Sequence, residues 1–189
     1  MDEISLNILD IVSNSIAAQA TQIAVTLAET REELTLTVED DGDGMTPEEL
    51  ARAWDPFHTT RTTRPIGLGL PFLRMEAELT GGDAGVTSFS AAVNASHGTR
   101  VWARFLKNSV DCPPLGNITD TLCAILCMPG GADLHFLHTA PGGTVTLDTA
   151  QMRRYLGDVP LSEPAVVAWA RESLCEQYRV FTDSMNELN

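Results

Sequence analysis

The sequence predicts an α+β fold, a sheet covered on one face by helices and followed by a small αββα module. Three observations carry this. A helical pattern over residues 2–18 runs into two alternating segments, Ile23, Val25 and Leu27, then Leu34, Leu36 and Val38. A second, well-bounded helical segment spans residues 69–79, between a polar loop and Gly81-Gly82. Two more strand-like segments, 85–93 and 99–106, follow it. Helix, strands, helix, loop, helix and strands up to Lys107 make an α+β sandwich with its helices on one sheet face.

Each element has a local reason. The first helix puts Ile4, Ile8, Leu9, Ile11, Val12 and Ile16 on one side, while Asn7, Asp10 and Asn14 form a polar stripe on the other. The polar turn Glu29 to Glu33 joins the first two strands, and the second leads straight into Asp40. Thr46-Pro47-Glu48-Glu49 supplies a capping Thr, a Pro at the first helical position and a Glu three residues after the cap, opening a short helix to about Trp54. Residues 55–66, polar and carrying Pro56 and Pro65, are expected to be a mobile loop. Pro71 is tolerated in the first turn of the following helix. Cys112-Pro113-Pro114-Leu115-Gly116 marks a boundary, dividing a domain of residues 1–107 from a module of residues 108–189. There the pattern gives a helix (117–127), strands (132–140 and 143–148) and helical segments from Thr149. Gly157 and Pro160 break these segments, and the last opens at Ser162-Glu163-Pro164. Val166, Val167, Trp169, Ala170, Leu174 and Tyr178 give that last helix an apolar face that must be covered.

Composition narrows the partners. The chain has 189 residues, 43% of them hydrophobic, enough for a real core. Its 12 basic and 26 acidic residues leave a formal charge of −14, with Lys107 the single lysine. Such a surface repels nucleic-acid phosphates and anionic membranes, so neither is an expected partner. No segment approaches a membrane span, and the N-terminus lacks a signal-peptide pattern, so a cytoplasmic location is expected. Cys112, Cys123, Cys127 and Cys175 are then expected as reduced thiols. Cys123 and Cys127 share a helix face, but no zinc-type spacing accompanies them.

Four short blocks carry the chemistry. Asp10 and Asn14 project from one helix face; an Asn carbonyl suits Mg²⁺, and a carboxylate one turn away can orient or deprotonate a water. A solvated helix face explains the same pattern. Asp40 precedes Gly42 and Gly44. Its carboxylate can accept from an exocyclic amine, while the glycines let backbone pass close to a ring or phosphate; an acidic turn is the alternative. Gly67, Leu68, Gly69 and Leu70 open a helix whose free amides attract anions. They also serve as plain loop-to-helix punctuation. Gly98-Thr99 adds a hydroxyl. Together the blocks make ATP binding the leading reading.

In this order the blocks resemble the GHKL superfamily: gyrase-type topoisomerases, heat-shock chaperone ATPases, sensor histidine kinases and MutL mismatch-repair proteins. The resemblance covers about residues 4–107 and implies a Bergerat-type α/β sandwich. It implies Asn14 as the Mg²⁺ ligand and Asp10 as the catalytic carboxylate. Asp40, Gly42, Gly44 and Thr99 would meet the nucleotide, and Gly67, Leu68, Gly69 and Leu70 its phosphates. The run Asp55-Pro56-Phe57-His58-Thr59-Thr60-Arg61 looks like the kinase F box, which places Phe57 and Arg61 in an ATP lid. Asp10 stands where the ATPase branch has Glu, and Pro65 where the kinase pattern has Gly.

The resemblance is closest to a stand-alone histidine-kinase-like protein. None of His58, His97, His135 and His138 precedes the Asn14 block, so a self-contained histidine autokinase is not expected. His135 and His138 read as packing or exposed strand residues. The expected function is Mg-ATP binding with phosphorylation or regulation of a separate protein, a transferase role in signal transduction. Two alternatives are a slow ATPase acting as a conformational switch and a non-catalytic ATP-binding module. Expected cofactors are ATP and Mg²⁺, and expected partners are ATP and a second protein or another copy of the chain.

Overall fold

The computed structural model describes residues 3–55 and 69–187, with side chains described as far as Phe181. Six helices and six strands follow one another along them: α1 (Ile4–Ala17), β1 (Gln22–Glu29), β2 (Glu33–Asp40), α2 (Pro47–Ala51), α3 (Gly69–Leu79), β3 (Asp83–Phe89), β4 (Gly98–Leu106), α4 (Ile118–Leu126), β5 (Asp133–Ala140), β6 (Gly143–Asp148), α5 (Thr149–Leu156) and α6 (Pro164–Glu187). The strands form one mixed sheet in the order β3-β4-β2-β1-β5-β6. All neighbours are antiparallel except β1 and β5. Helices flank the sheet, as the alternating pattern requires.

The register explains where the core ends and a site can begin. Val86, Val101, Val38, Val25, Phe136 and Leu147 pair in sequence into one apolar row across all six strands. Two residues further along each strand, the neighbouring row turns polar at one end: Ser88, Thr99 and Asp40 pair across β3, β4 and β2, next to Ile23 on β1. Successive side chains alternate faces, so this polar run shares the helix-covered face of the core.

Helix α1 lies over that face. Ile4, Ile8 and Ile11 are buried, and so is Ser15 at the next position of the same stripe, spaced by three or four residues. The first turn of α1 is anchored by the boundary segment: the amides of Ile4 and Ser5 donate to the carbonyls of Pro114 and Leu115 at 3.0 Å each. These are among the amides that a helix start leaves without an internal partner. Helix α2 opens with the expected capping box: the Glu49 amide donates to Thr46 Oγ1 (3.3 Å) and the Thr46 amide to Glu49 Oε2 (2.8 Å). The α1–β1 turn passes through Gln19 at φ +61, a left-handed residue without glycine's freedom.

Residues beyond 107 complete the sheet, since β5 pairs with β1 and one core cluster runs through both segments. Helix α6 buries Val166, Ala170, Leu174 and Phe181, while Trp169 stays 58% exposed outside the covered face. A polar chain ties the segments at this junction. His138 is fully buried; its Nε2 lies 2.8 Å from Glu29 Oε1 and its Nδ1 3.0 Å from the Tyr178 hydroxyl. Donation from Nε2 to Glu29 and acceptance at Nδ1 from Tyr178 would satisfy both ring nitrogens. Lys107 Nζ donates to Glu29 Oε2 at 2.6 Å and to the Thr30 carbonyl at 3.1 Å. The His138 hydrogen bond, opposed by burial and reinforced by Lys107, pulls the Glu29 carboxyl down to about 2. Burial, then the nearby Glu29 charge, pushes the Tyr178 phenol up, which keeps its proton available to donate.

Candidate functional site

Asp40 is the hub. Its Oδ2 accepts from Ser15 Oγ at 2.5 Å; its Oδ1 accepts from the amides of Gly42 (3.0 Å) and Thr99 (3.2 Å). A carboxylate offers about four lone-pair sites. Among the described residues three are filled, and both bonds on Oδ1 are backbone amides, so the remaining acceptor site is on Oδ2. Around it Thr99 Oγ1 lies 2.8 Å from Ser88 Oγ, which donates to the Gly98 carbonyl (3.0 Å) and accepts from the Met45 amide (2.8 Å). His97 Nδ1 holds the Gly42 carbonyl at 2.7 Å. Helix, three strands and two loops therefore fix this carboxylate in one orientation.

The glycines here are required by backbone crossings. Gly44 has φ +66, and a Cβ on it would collide with the Phe89 carbonyl. A Cβ on Gly42 would come within 2.7 Å of the Ala18 carbonyl at the end of α1. Asp41 accepts from the Thr21 amide (2.7 Å), the Thr21 hydroxyl (2.6 Å) and the Gln22 amide (2.8 Å). Burial pushes its carboxyl up, but these bonds offset that and hold it below the ordinary value.

The other end of the site lies where α1 meets α3. The stripe of Asn7, Asp10 and Asn14 is no solvated face: Asn7 is completely buried and bonds Glu76 of α3, and a Cβ on Gly69 would strike the Asp10 carboxylate. The N-terminal turn of α3 therefore sits directly on Asp10. The Asn14 carboxamide, half-buried one turn on, makes no side-chain hydrogen bond among the described residues. Leu70 packs against the core. Phe57, Arg61, Gly67 and Leu68, with the rest of the expected loop from Pro56, lie outside the described residues. At the edge of this region the Arg74 guanidinium sits 5.3 Å from the centre of the Trp54 ring.

Thus Asp40, Gly42, Gly44 and Thr99 come together at one end, and Asp10, Asn14, Gly69 and Leu70 at the other. The sequence motifs do not single out Ser15 or Ser88. Ser15 carries a readable signal, a hydroxyl where the buried stripe of α1, spaced by three or four residues, calls for an apolar side chain; Ser88 carries none. An apolar cavity of about 160 Å³ is elsewhere, lined by Val12 and Ile16 on the opposite side of α1, and the cation lining it among the described residues, Arg153, is paired with Asp133. No group of three or more His, Cys, Asp or Glu suited to a metal occurs among the described residues. A Mg²⁺ held by one Asn, phosphates and water needs no such group.

Comparison with known proteins places the chain in a family. Residues 2–109, more than half of the chain, match the family described as histidine kinase-, DNA gyrase B-, and HSP90-like ATPase, and the chain belongs to that family. No curated protein matches. Among solved structures the chain resembles one titled "Crystal Structure of N terminal domain of a DNA repair protein", with a TM-score of 0.58 and 16% identity. The match covers 78% of this chain and 52% of that one, so the chain spans about half the length of that structure. At this identity the likeness is one of fold, and its coverage takes in residues beyond 109. No described helix is long and apolar enough to cross a membrane.

Proposed function

We propose that this chain binds Mg-ATP and uses it to phosphorylate or regulate a separate protein. The observation that carries the binding half is the Asp40 carboxylate, which among the described residues is oriented by three donors with one acceptor site left on Oδ2. That site takes a hydrogen bond from adenine's exocyclic amine and repels guanine's carbonyl at the same ring position. Thr99, held through Ser88, adds a hydroxyl beside it.

The described residues at the other end suit a triphosphate and its metal. The Asn14 carbonyl would take one Mg²⁺ position, and the α3 amides and dipole would face the phosphates. Bound Mg²⁺ would neutralise developing phosphate charge. Asp10, held against Gly69, stands at that end and acts as the base for an incoming hydroxyl or water. The same carboxylate favours slow hydrolysis as the second reading, with ATP turnover switching partner binding.

The test uses γ-labelled ATP with Mg²⁺ and the full chain, alone and with candidate acceptor proteins. Label on a partner's Ser, Thr or His, lost with Asp10→Asn, is the expected result. Free phosphate that disappears with Asp10→Asn would favour the hydrolytic reading. Label that stays on ATP under both conditions would overturn both.

A further inference from the structure

The seam between α1 and α3 holds a polar pair for which adenine, metal and phosphate recognition have no use. Asn7 is 0% and Glu76 8% exposed, and Asn7 Nδ2 donates to Glu76 Oε2 at 2.8 Å. Asn7 Oδ1 is buried and accepts no hydrogen bond among the described residues. A buried amide with an unfilled acceptor costs stability that two apolar side chains of similar size would not. Stability is therefore a poor reason for the pair.

Geometry supplies a better one. Asn7 stands three residues before Asp10 on α1, and Glu76 stands seven after Gly69 on α3, so each shares a helix face with a residue of the phosphate end. The two faces meet at both places, amide on carboxylate at one and glycine on carboxylate at the other. Apolar side chains at the first contact would tolerate rotation or sliding of α3 along α1. A directional hydrogen bond between buried groups accepts one register, the kind of specificity a single buried polar residue confers on packed helices.

We propose that Asn7 and Glu76 are a positioning pair that sets the first turn of α3 against Asp10, so that the phosphate end is organised before nucleotide arrives. Its ligand rests on the ATP reading, whereas the register is a property of the free protein. The test compares the full chain with Asn7→Leu/Glu76→Leu and with Glu76→Gln, which keeps the size and an acceptor for Asn7.

For the double variant the expected result is a thermal midpoint at or above the parent's. Amide exchange at Leu73 to Met75 should be at least tenfold faster, with α1 and the sheet unchanged, and Glu76→Gln should exchange like the parent. Preference for Mg-ATP over Mg-ADP should fall at least tenfold in the double variant. Parental exchange at Leu73 to Met75 in the double variant would overturn the proposal, and so would its failure to fold. Faster exchange in a protein whose parent binds neither nucleotide would leave the positioning pair standing and refute the ATP reading.

Discussion

Glu29→Gln offers a perturbation whose size follows from the structure. Glu29 is held at about 2, against 4.5 for an unperturbed carboxyl, by His138, with burial opposing and Lys107 assisting. Each pKa unit corresponds to about 1.4 kcal/mol, so the shift represents about 3 kcal/mol. Because the folded value is depressed, this stability is fully present above the unfolded value and is lost as pH falls through the folded one. Urea unfolding of both proteins, followed by the fluorescence of Trp54, Trp102 and Trp169, gives the difference directly. The parent should exceed Glu29→Gln by a constant margin above about pH 5, and that margin should shrink by about 3 kcal/mol towards pH 2. A margin that does not change over this range would refute the reasoning, because the ionised Glu29 would then contribute nothing specific to the junction of β1, β5 and α6.

Two backbone positions make a matched pair of further tests by thermal unfolding. Gln19→Gly removes the cost of a left-handed side-chain residue (φ +61) and should raise stability by about 1 kcal/mol, or about 2–4 °C. Gly44→Ala, at φ +66 with the Phe89 carbonyl in the way, should lower stability by about 2 kcal/mol or more and weaken any ligand held by the Asp40 loop.

Much of this fold is readable from local pattern because its elements are locally consistent. Helix α3 occupies residues 69–79 as its Pro71 start and Gly81-Gly82 stop require, and the Thr46 capping box forms. The third strand shows where local pattern stops short. Residues 85–93 look strand-like, yet β3 runs from Asp83 to Phe89. Asp83 is drawn in by Arg104 across the sheet, while the amides of Val93 and Asn94 turn back to the Ser90 carbonyl. The site divides the same way. Asp40, its glycines, Asp10 and Asn14 stand out by residue type and spacing. The partners that orient them do not: Asn7 and Glu76 are 69 residues apart, and Glu29 and His138 are 109 apart. No local rule says which buried polar group will meet which.

The most direct measurement is calorimetric titration of the full chain with Mg-ATP and Mg-GTP, repeated on Asp40→Asn and Ser15→Ala. The parent should bind Mg-ATP and prefer it to Mg-GTP by at least about tenfold, about 1.4 kcal/mol. Asp40→Asn replaces an acceptor oxygen by a donor and should weaken Mg-ATP by at least about tenfold. Ser15→Ala, which frees Oδ2 from its 2.5 Å partner, should weaken it less. Absence of Mg-ATP binding by the parent, or parental affinity in Asp40→Asn, would contradict the assignment of this carboxylate to adenine.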